Sequence, residues 1–235
     1  MAEPAAALIA VAATLAVFSA ARWLAERTGW TVLNPVLVAI VVLIAGLRLL
    51  HVDYAAYDTG GRWIGWLLGP AVVALGYPLA AQMDEIVRRA RSILVSILAG
   101  SAAGIVSAAG VAALLGGSRP VVLSLVPRAV TTPIAIGIAQ RIGGLPPLSA
   151  ALVIGTGVVG AVLGPPLYRA LGVTSRTAWG LGIGAAAHGV GTARAAQEGE
   201  AEGAAAGLAI GLMGIATALL APLAVAVLDW LVFGP

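Results

Sequence analysis

Long runs of apolar residues, separated by short charged or Gly/Pro-rich segments, occupy most of this sequence. An α-helix needs about 20 apolar residues to cross the hydrocarbon core of a bilayer. Apolar stretches predict membrane-spanning helices at 5–21, 33–47, 63–83, 92–118, 120–140, 142–168, 177–197 and 203–228. We therefore predict an all-α polytopic membrane protein with seven or eight transmembrane segments.

In this interpretation the spans form one integral membrane domain over 1–235. The segment LLGPAVVALGYP at 67–78 is echoed by VLGPP at 162–166. This echo indicates an internal repeat, with halves at about 33–118 and 120–232. Repeats of inverted topology are common in secondary transporters, so a transporter-like bundle is expected.

The composition supports a membrane location and narrows the chemistry. Hydrophobic residues make up 60% of the chain, charged residues only 10%, and the mean hydropathy is +1.03. All 13 basic residues are arginines, dispersed near the predicted span ends, which is unlike the clustered patch of a nucleic-acid-binding protein. The absence of cysteine excludes disulfides, thiolate metal sites and cysteine nucleophiles.

The arginines also give a predicted orientation. Eight crossings place one group of arginines on the same face: Arg22, Arg27, Arg88, Arg89, Arg91, Arg141 and Arg194. The opposite face receives Arg48, Arg62, Arg119, Arg169 and Arg176. Positive residues favour the cytoplasmic side, so the 88–91 cluster is expected there and both termini outside.

The predicted span at 120–140 is interrupted by the segment SLVPRAVTTP. Arg128 would lie about 13 Å from the nearer end of a continuous helix, close to the membrane midplane. A charge at that depth costs at least about 2.5–3.5 kcal/mol, so it persists where it faces water, a partner or a ligand. Pro127 and Pro133 break the helical hydrogen-bond ladder, and broken backbone is tolerated where it lines a cavity.

Hydroxyl groups surround this arginine in the sequence, at Ser124, Thr131 and Thr132. A half-helix beginning near Ala129 would point its N-terminal amides at the same volume as the guanidinium, which makes an anion site. The alternative is a structural arginine that snorkels or caps a helix end.

The second interrupted span is GAAAHGVGTARAAQEGEAEGA at 184–204. His188 precedes Gly189 and Gly191, which weaken the helix, and Thr192. The histidine is either a satisfied buried polar group or a proton carrier in the site. Arg194 either ends the span or joins the site. The acidic residues Glu198, Glu200 and Glu202 are expected in a solvated loop.

These motifs resemble the LrgB/CidB family over residues 33–222, nearly the whole chain. The resemblance rests on LNPVLVAIVVLI, SLVPRAVTTPIAI and GLGIGAAAHGVGTARAAQEGEAEGA. Such proteins include antiholin-like regulators of murein hydrolases, the plastid glycolate/glycerate translocator and bacterial pyruvate-uptake systems. Where the family usually has Pro-Lys-Ser, this chain has Pro127-Arg128-Ala129, which keeps the positive charge but removes a hydroxyl.

The resemblance and the two broken spans predict a secondary transporter of small 2-oxo or 2-hydroxy monocarboxylates, such as pyruvate, lactate, glycolate or glycerate. The predicted substrate-binding residues are Ser124, Arg128, Thr131, Thr132, His188, Thr192 and Asn34, the last from the NPVLVA motif. Coupling to H⁺ through His188, or to Na⁺, is expected, with no other cofactor. Elevator-type motion and a homodimer follow by analogy with other transporter folds.

Two other function classes are alternatives for this sequence. A holin-like pore, or a regulator of one that controls autolysis, would need a continuous polar lining, whereas this sequence concentrates polarity at two breaks. An intramembrane enzyme is disfavoured because paired carboxylates and a Gly-x-Ser-Gly motif are missing from the spans. In both membrane-permeation hypotheses the chain lies in the bacterial cytoplasmic membrane, and the resemblance implies a small LrgA/CidA-type membrane partner.

Overall fold

The structure is a computed structural model that describes residues 2–28, 30, 33, 35–67, 70, 80 and 83–234. Throughout these ranges the regular secondary structure is helical. The chain divides into two compact units, residues 1–77 and 78–235, each described here by itself. The all-α class predicted from the hydropathy pattern is therefore confirmed for the described part of the chain.

In its described residues the first unit contains three packed helices: α1 Ala2–Thr28, α2 Pro35–Leu49 and α3 Tyr54–Trp66. The helix α1 packs on both others. Gly60 of α3 lies so close to the backbone carbonyl of Ala7 that a side chain at this position would collide with α1. The hydroxyls of Thr14 and Tyr57 share a 2.7 Å hydrogen bond across the same contact.

The second unit holds the two segments predicted to carry the chemistry. Its helices are α4 Met83–Arg88, α5 Ala90–Leu114, α6 Arg119–Leu125, α7 Thr132–Ile142, α8 Pro146–Ala170, α9 Arg176–Glu198 and α10 Glu200–Leu228. A π-helical turn, Asp229–Phe233, follows α10. The helices α6, α7 and α8 each have proline in the first turn. Backbone N–H groups in the first turn have no hydrogen-bond partner within the helix, so the N–H that proline lacks is not needed there.

Among the described residues, four helices are long and apolar enough to cross a membrane: Pro4–Thr28, Ala90–Leu114, Pro146–Ala170 and Glu200–Phe233. They correspond to the predicted spans at 5–21, 92–118, 142–168 and 203–228. The predicted span at 33–47 corresponds to the shorter apolar helix α2. The predicted span at 63–83 lies mostly outside the described residues.

The segment 119–142 is a helical hairpin (hairpin 1) rather than one crossing. Its first arm α6 ends at Leu125, its second arm α7 begins at Thr132, and a turn at 126–131 joins them. A Cβ added at Gly143, just after the second arm, would lie 3.4 Å from Nη1 of Arg119, so the outer ends of both arms are together. The turn reaches the middle of α5, where Arg128 Nη2 donates to the Gly104 carbonyl at 3.2 Å.

The segment 176–198 is also bent back on itself (hairpin 2), and α9 consists of two helical arms on either side of a kink. His188 has φ 40° and ψ −127° in the middle of α9, which divides it into arms at 176–187 and 189–198. Gly191 of the second arm contacts the Ile183 carbonyl of the first, so the arms run in opposite directions. The bend reaches α8 near its middle, because the His188 ring lies against Gly157.

Glycine and alanine contacts bind hairpin 2 to α10. Gly180 and Gly184 of the first arm lie against the backbone of Glu202 and Ala206, so this arm runs parallel to α10. Gly203 lies against Ala196 of the second arm, which is antiparallel to α10. Small residues allow this close approach where lipid supplies no hydrophobic driving force for association.

The predictions of single crossings at 120–140 and 177–197 are therefore wrong. Each segment enters to about half the length of a spanning helix and returns to the face from which it came. The order of a long helix followed by a half-depth hairpin occurs twice, over 90–142 and 146–198, and in opposite directions. The repeat halves at 33–118 and 120–232 stay a prediction.

The hairpins also correct the predicted distribution of arginines. The face where α5 and α9 begin and α8 ends (face A) carries Arg88, Arg89, Arg91, Arg169, Arg176 and Arg194. The opposite face of this unit (face B) carries Arg119 and Arg141. Arg169 and Arg176 therefore share a face with the 88–91 cluster, and Arg141 does not, because each hairpin replaces one predicted crossing.

Candidate functional site

A cavity of about 830 Å³ lies between α5, α8, the first arm of hairpin 2 and the turn of hairpin 1. The side of α5 that faces it carries small residues four positions apart: Ser92, Ser96, Gly100 and Gly104. Twelve residues of α-helix separate the first from the last, which is about 18 Å along the helix axis. The cavity thus runs from face A to the middle of the unit.

Arg128 lies at the inner end of this cavity, next to Gly104. Its guanidinium is half-buried, and one Nη2–H donates to the Gly104 carbonyl. No carboxylate in the described part of the chain forms an ion pair with it. A planar guanidinium carries five N–H donors, so the bond to Gly104 leaves donors available for an anion in the cavity.

Hydroxyl groups along the cavity are the part of the site that the sequence reasoning missed. Ser92 and Ser96 belong to α5, Thr156 to α8, and Ser175 and Thr177 to the start of α9. The signal that could have found the first two is their spacing of four in line with Gly100 and Gly104, which places all four on one helix face. Apolar residues such as Leu152 and Val159 form the remaining wall.

Ser124 is fully buried and hydrogen-bonded within the protein, away from the cavity. Its Oγ donates to the Pro120 carbonyl at 2.6 Å and accepts from the Leu145 N–H at 2.7 Å. The Ser149 hydroxyl donates to its carbonyl at 2.8 Å. These bonds connect hairpin 1 to the start of α8.

Thr131 and Thr132 lie where α7 begins, and neither lines the cavity. Thr131 is the N-cap residue, its carbonyl accepts from the Ala135 N–H at 2.9 Å, and its side chain makes no capping bond. Pro127 is buried in the turn before Arg128, whereas Pro133 is exposed in the first turn of α7. The two prolines thus flank the non-helical residues on either side of Arg128.

His188 and Thr192 are close to each other, and neither lines the Arg128 cavity. The His188 ring is 5% exposed, and its Nε2 lies 2.9 Å from the Val153 carbonyl of α8. The Thr192 hydroxyl donates to the His188 carbonyl at 2.9 Å. The bend lies at His188 itself, a non-glycine residue held at positive φ, while the exposed Gly189 follows it and Gly191 packs between the arms.

The remaining sequence candidates have different positions. Asn34 lies outside the described residues. Arg194 donates to Gln197 at 3.1 Å and pairs with Glu198 near the outer end of hairpin 2. The expectation of a loop is wrong, because Glu198 ends α9 and both Glu200 and Glu202 lie in the first turn of α10. Glu198 and Glu200 are exposed, whereas Glu202 is 9% exposed, with Arg176 3.6 Å away.

Within the described ranges, acidic and histidine side chains form no group of three or more that could hold a metal ion. The second cavity, of about 630 Å³, lies between the later halves of α5 and α10 and is lined by Val106, Leu223 and other apolar or glycine residues. The charged and hydroxyl groups capable of binding a solute therefore concentrate at the Arg128 cavity.

Comparison with known proteins gives consistent matches over most of the chain. Residues 14–227 match the model of the LrgB-like family. The chain is 38% identical to the uncharacterized protein YxaC of Bacillus subtilis, covering 83% of this chain and 84% of that protein. It is 31% identical to the holin-like protein CidB of Staphylococcus epidermidis (80% and 82% covered) and 33% identical to the antiholin-like protein LrgB of Bacillus cereus (83% and 85% covered). No solved structure matches.

Proposed function

The chain belongs to the LrgB-like family and is an integral bacterial membrane protein, and from that premise we propose that it controls the passage of small anions across the membrane at the Arg128 cavity. One observation carries the proposal. Arg128 lies in the turn of hairpin 1 beside the middle of the spanning helix α5, lines a cavity and has a backbone carbonyl as its hydrogen-bond partner. Ionisable residues at membrane depth mark solute pathways by default, because their desolvation is expensive.

The names of the relatives support one form of this function better than the other. CidB is named holin-like and LrgB antiholin-like, which favours a chain that forms a pore or restrains one. In this form the anion at Arg128 sets whether the pathway is open, and a small LrgA/CidA-type membrane protein is the proposed partner. Control of murein hydrolases and autolysis would follow from the pore.

A second form, the carrier, is supported by the shape of the site. The cavity ends at Arg128 inside the unit, and buried apolar side chains of hairpin 1 lie beyond it. A cavity that ends inside the unit and holds one cation and several hydroxyls suits a small 2-oxo or 2-hydroxy monocarboxylate, with the carboxylate on Arg128. Coupling to H⁺ or Na⁺ belongs to this form alone.

The experiment is anion flux into liposomes that contain the purified protein, with radiolabelled C2–C3 acids. Replacing Arg128 by Gln removes the charge and should lower flux by roughly 10–100-fold, since a hydrogen bond to a charged group contributes about 1.5–3 kcal/mol. Arg141→Gln is the matched control, because Arg141 is exposed in the last turn of α7.

Flux that saturates and distinguishes stereoisomers identifies the carrier, whereas flux that rises linearly with concentration identifies the pore. Equal flux through the folded Arg128→Gln and Arg141→Gln variants would remove the site from both forms. A panel at several pH values and sodium concentrations then identifies any coupling ion.

A further inference from the structure

The two ends of the Arg128 cavity differ in what surrounds them. At face A the cavity is lined by exposed residues, among them Ser92 at the start of α5 and Ser175 before α9, and farther along the cavity Gly100, Gly155 and Val159 are exposed as well. At the inner end it stops at Arg128 and Gly104. A solute in the cavity therefore has a route to face A.

Between Arg128 and face B lies a packed apolar cluster. Val122, Leu123 and Val126 of hairpin 1 are at most 1% exposed, and they pack with Ile105, Ala109, Ile138 and Ala221. Side chains buried to this extent leave little space for a water molecule between them. Ile105 and Ala109 also line the second cavity, whose lining is apolar, so the tightest part of the barrier is formed by Val122, Leu123 and Val126. The cluster thus separates the cavity from face B.

Two polar contacts hold hairpin 1 in this position. Arg119 forms a two-bond ion pair with Asp229, from Nε to Oδ1 at 2.7 Å and from Nη2 to Oδ2 at 2.9 Å. Ser124 bonds to the start of α8 as described above. Hairpin 1 is therefore connected by hydrogen bonds to the start of α8 and by an ion pair to the turn that follows α10 on face B.

The arginines show which face is cytoplasmic. Face A of this unit carries six arginines close to helix or hairpin ends, and face B carries two. Cytoplasmic segments close to spanning helices are enriched in Lys and Arg. The excess on face A is larger than eight single crossings would give, because the half-depth hairpins move Arg169 and Arg176 to that face.

From these observations we infer that the cavity is open to the cytoplasm and that hairpin 1 is the barrier on its outer side. The inference rests on the proposed function only for what enters the cavity. Passage across the membrane then requires hairpin 1 to move away from α5 and α10, which would open the apolar cluster around Val122.

The absence of cysteine makes a direct test simple, because single-cysteine variants need no prior removal of native thiols. Ser96→Cys places a thiol in the cavity, and Val122→Cys places one in the barrier. Thr174→Cys and Ser118→Cys are exposed controls for faces A and B, in the loops before α9 and α6. Each variant is labelled with a membrane-impermeant thiol reagent in right-side-out and in inside-out membrane vesicles.

We expect Ser96→Cys and Thr174→Cys to react at least tenfold faster in inside-out vesicles, Ser118→Cys faster in right-side-out vesicles, and Val122→Cys slowly in both. Labelling of Ser96→Cys from the same face as Ser118→Cys, or equally from both faces, would overturn the inference. Fast labelling of Val122→Cys would do the same. Reversed results for the two control residues would overturn the orientation. Since labelling requires no flux, a failure here is distinct from a failure of the proposed function.

Discussion

Replacing Ser124 by alanine distinguishes a role in folding from a role in binding the solute. The side chain is fully buried and connects hairpin 1 to α8 through the Leu145 N–H. Alanine leaves the Leu145 N–H without its hydrogen-bond partner. The Pro120 carbonyl also loses its bond from the serine hydroxyl, but it remains part of the first turn of α6. A buried polar group left unsatisfied costs about 1–3 kcal/mol, so we expect the free energy of unfolding to fall by that amount.

Thermal unfolding of the purified protein in detergent measures this loss. For a chain of this size each kcal/mol lowers the midpoint by roughly 2–4 °C, which gives a decrease of roughly 2–12 °C. Ser107→Ala is the matched control, because that exposed hydroxyl donates to the carbonyl of Gly104 within its own helix at 3.1 Å. Exposed substitutions of this kind stay within about 0.5 kcal/mol of the parent.

Anion affinity, measured on the folded variants by calorimetric titration, completes the experiment. The structure predicts that Ser124→Ala keeps the affinity of the parent protein, since the serine lies outside the cavity. If the variant unfolded like Ser107→Ala and yet lost anion affinity, the assignment of Ser124 to structure would be refuted, and the sequence prediction of a binding role would stand.

Two further predictions concern packing in the second unit. Gly184→Ala should destabilise the protein by about 1–3 kcal/mol, because the new Cβ would lie 2.6 Å from the Ala206 Cα. Gly211→Ala in α10 is the control, because a Cβ there has open space and should change stability little. Equal midpoints of thermal unfolding for the two variants would contradict the close packing of hairpin 2 on α10. The hydroxyls of Ser101 and Thr217 share a buried hydrogen bond of 3.1 Å. A double-mutant cycle with Ser101→Ala and Thr217→Val should give a coupling energy of about 0.6 kcal/mol. A coupling energy near zero would show that the bond does not form in the membrane.

Arg128 illustrates what the sequence could predict. Its distance from Arg119 and Arg141, together with the flanking prolines, was enough to place it deep in the unit beside broken backbone. The partner residues were harder to predict, because a hydroxyl near in sequence need not share a cavity. Ser124 turns toward α8, whereas Ser96 and Thr156, from two other helices, line the cavity.

The hairpins show why the number of crossings could not be read from hydropathy. Hairpin 1 and hairpin 2 each contain about as many residues as one spanning helix, and hydropathy does not record the direction of the chain. Gly189 and Gly191 mark a break near His188 in the sequence, but the reversal of the chain depends on positive φ at His188 itself, which the sequence does not indicate. The order of helix and hairpin becomes visible only from contacts between distant residues, such as Arg128 with Gly104 and His188 with Val153.

The half-depth hairpins have a practical consequence for mapping topology with enzyme reporters fused to truncated chains. A fusion point after Arg128 or after His188 removes the returning arm, so the attached reporter would be left at a depth where no aqueous compartment exists, or would be pulled through to the wrong one. Reporters inserted into the intact chain at 116–118 and 172–174 avoid this artefact, because both loops keep the complete hairpin that follows them.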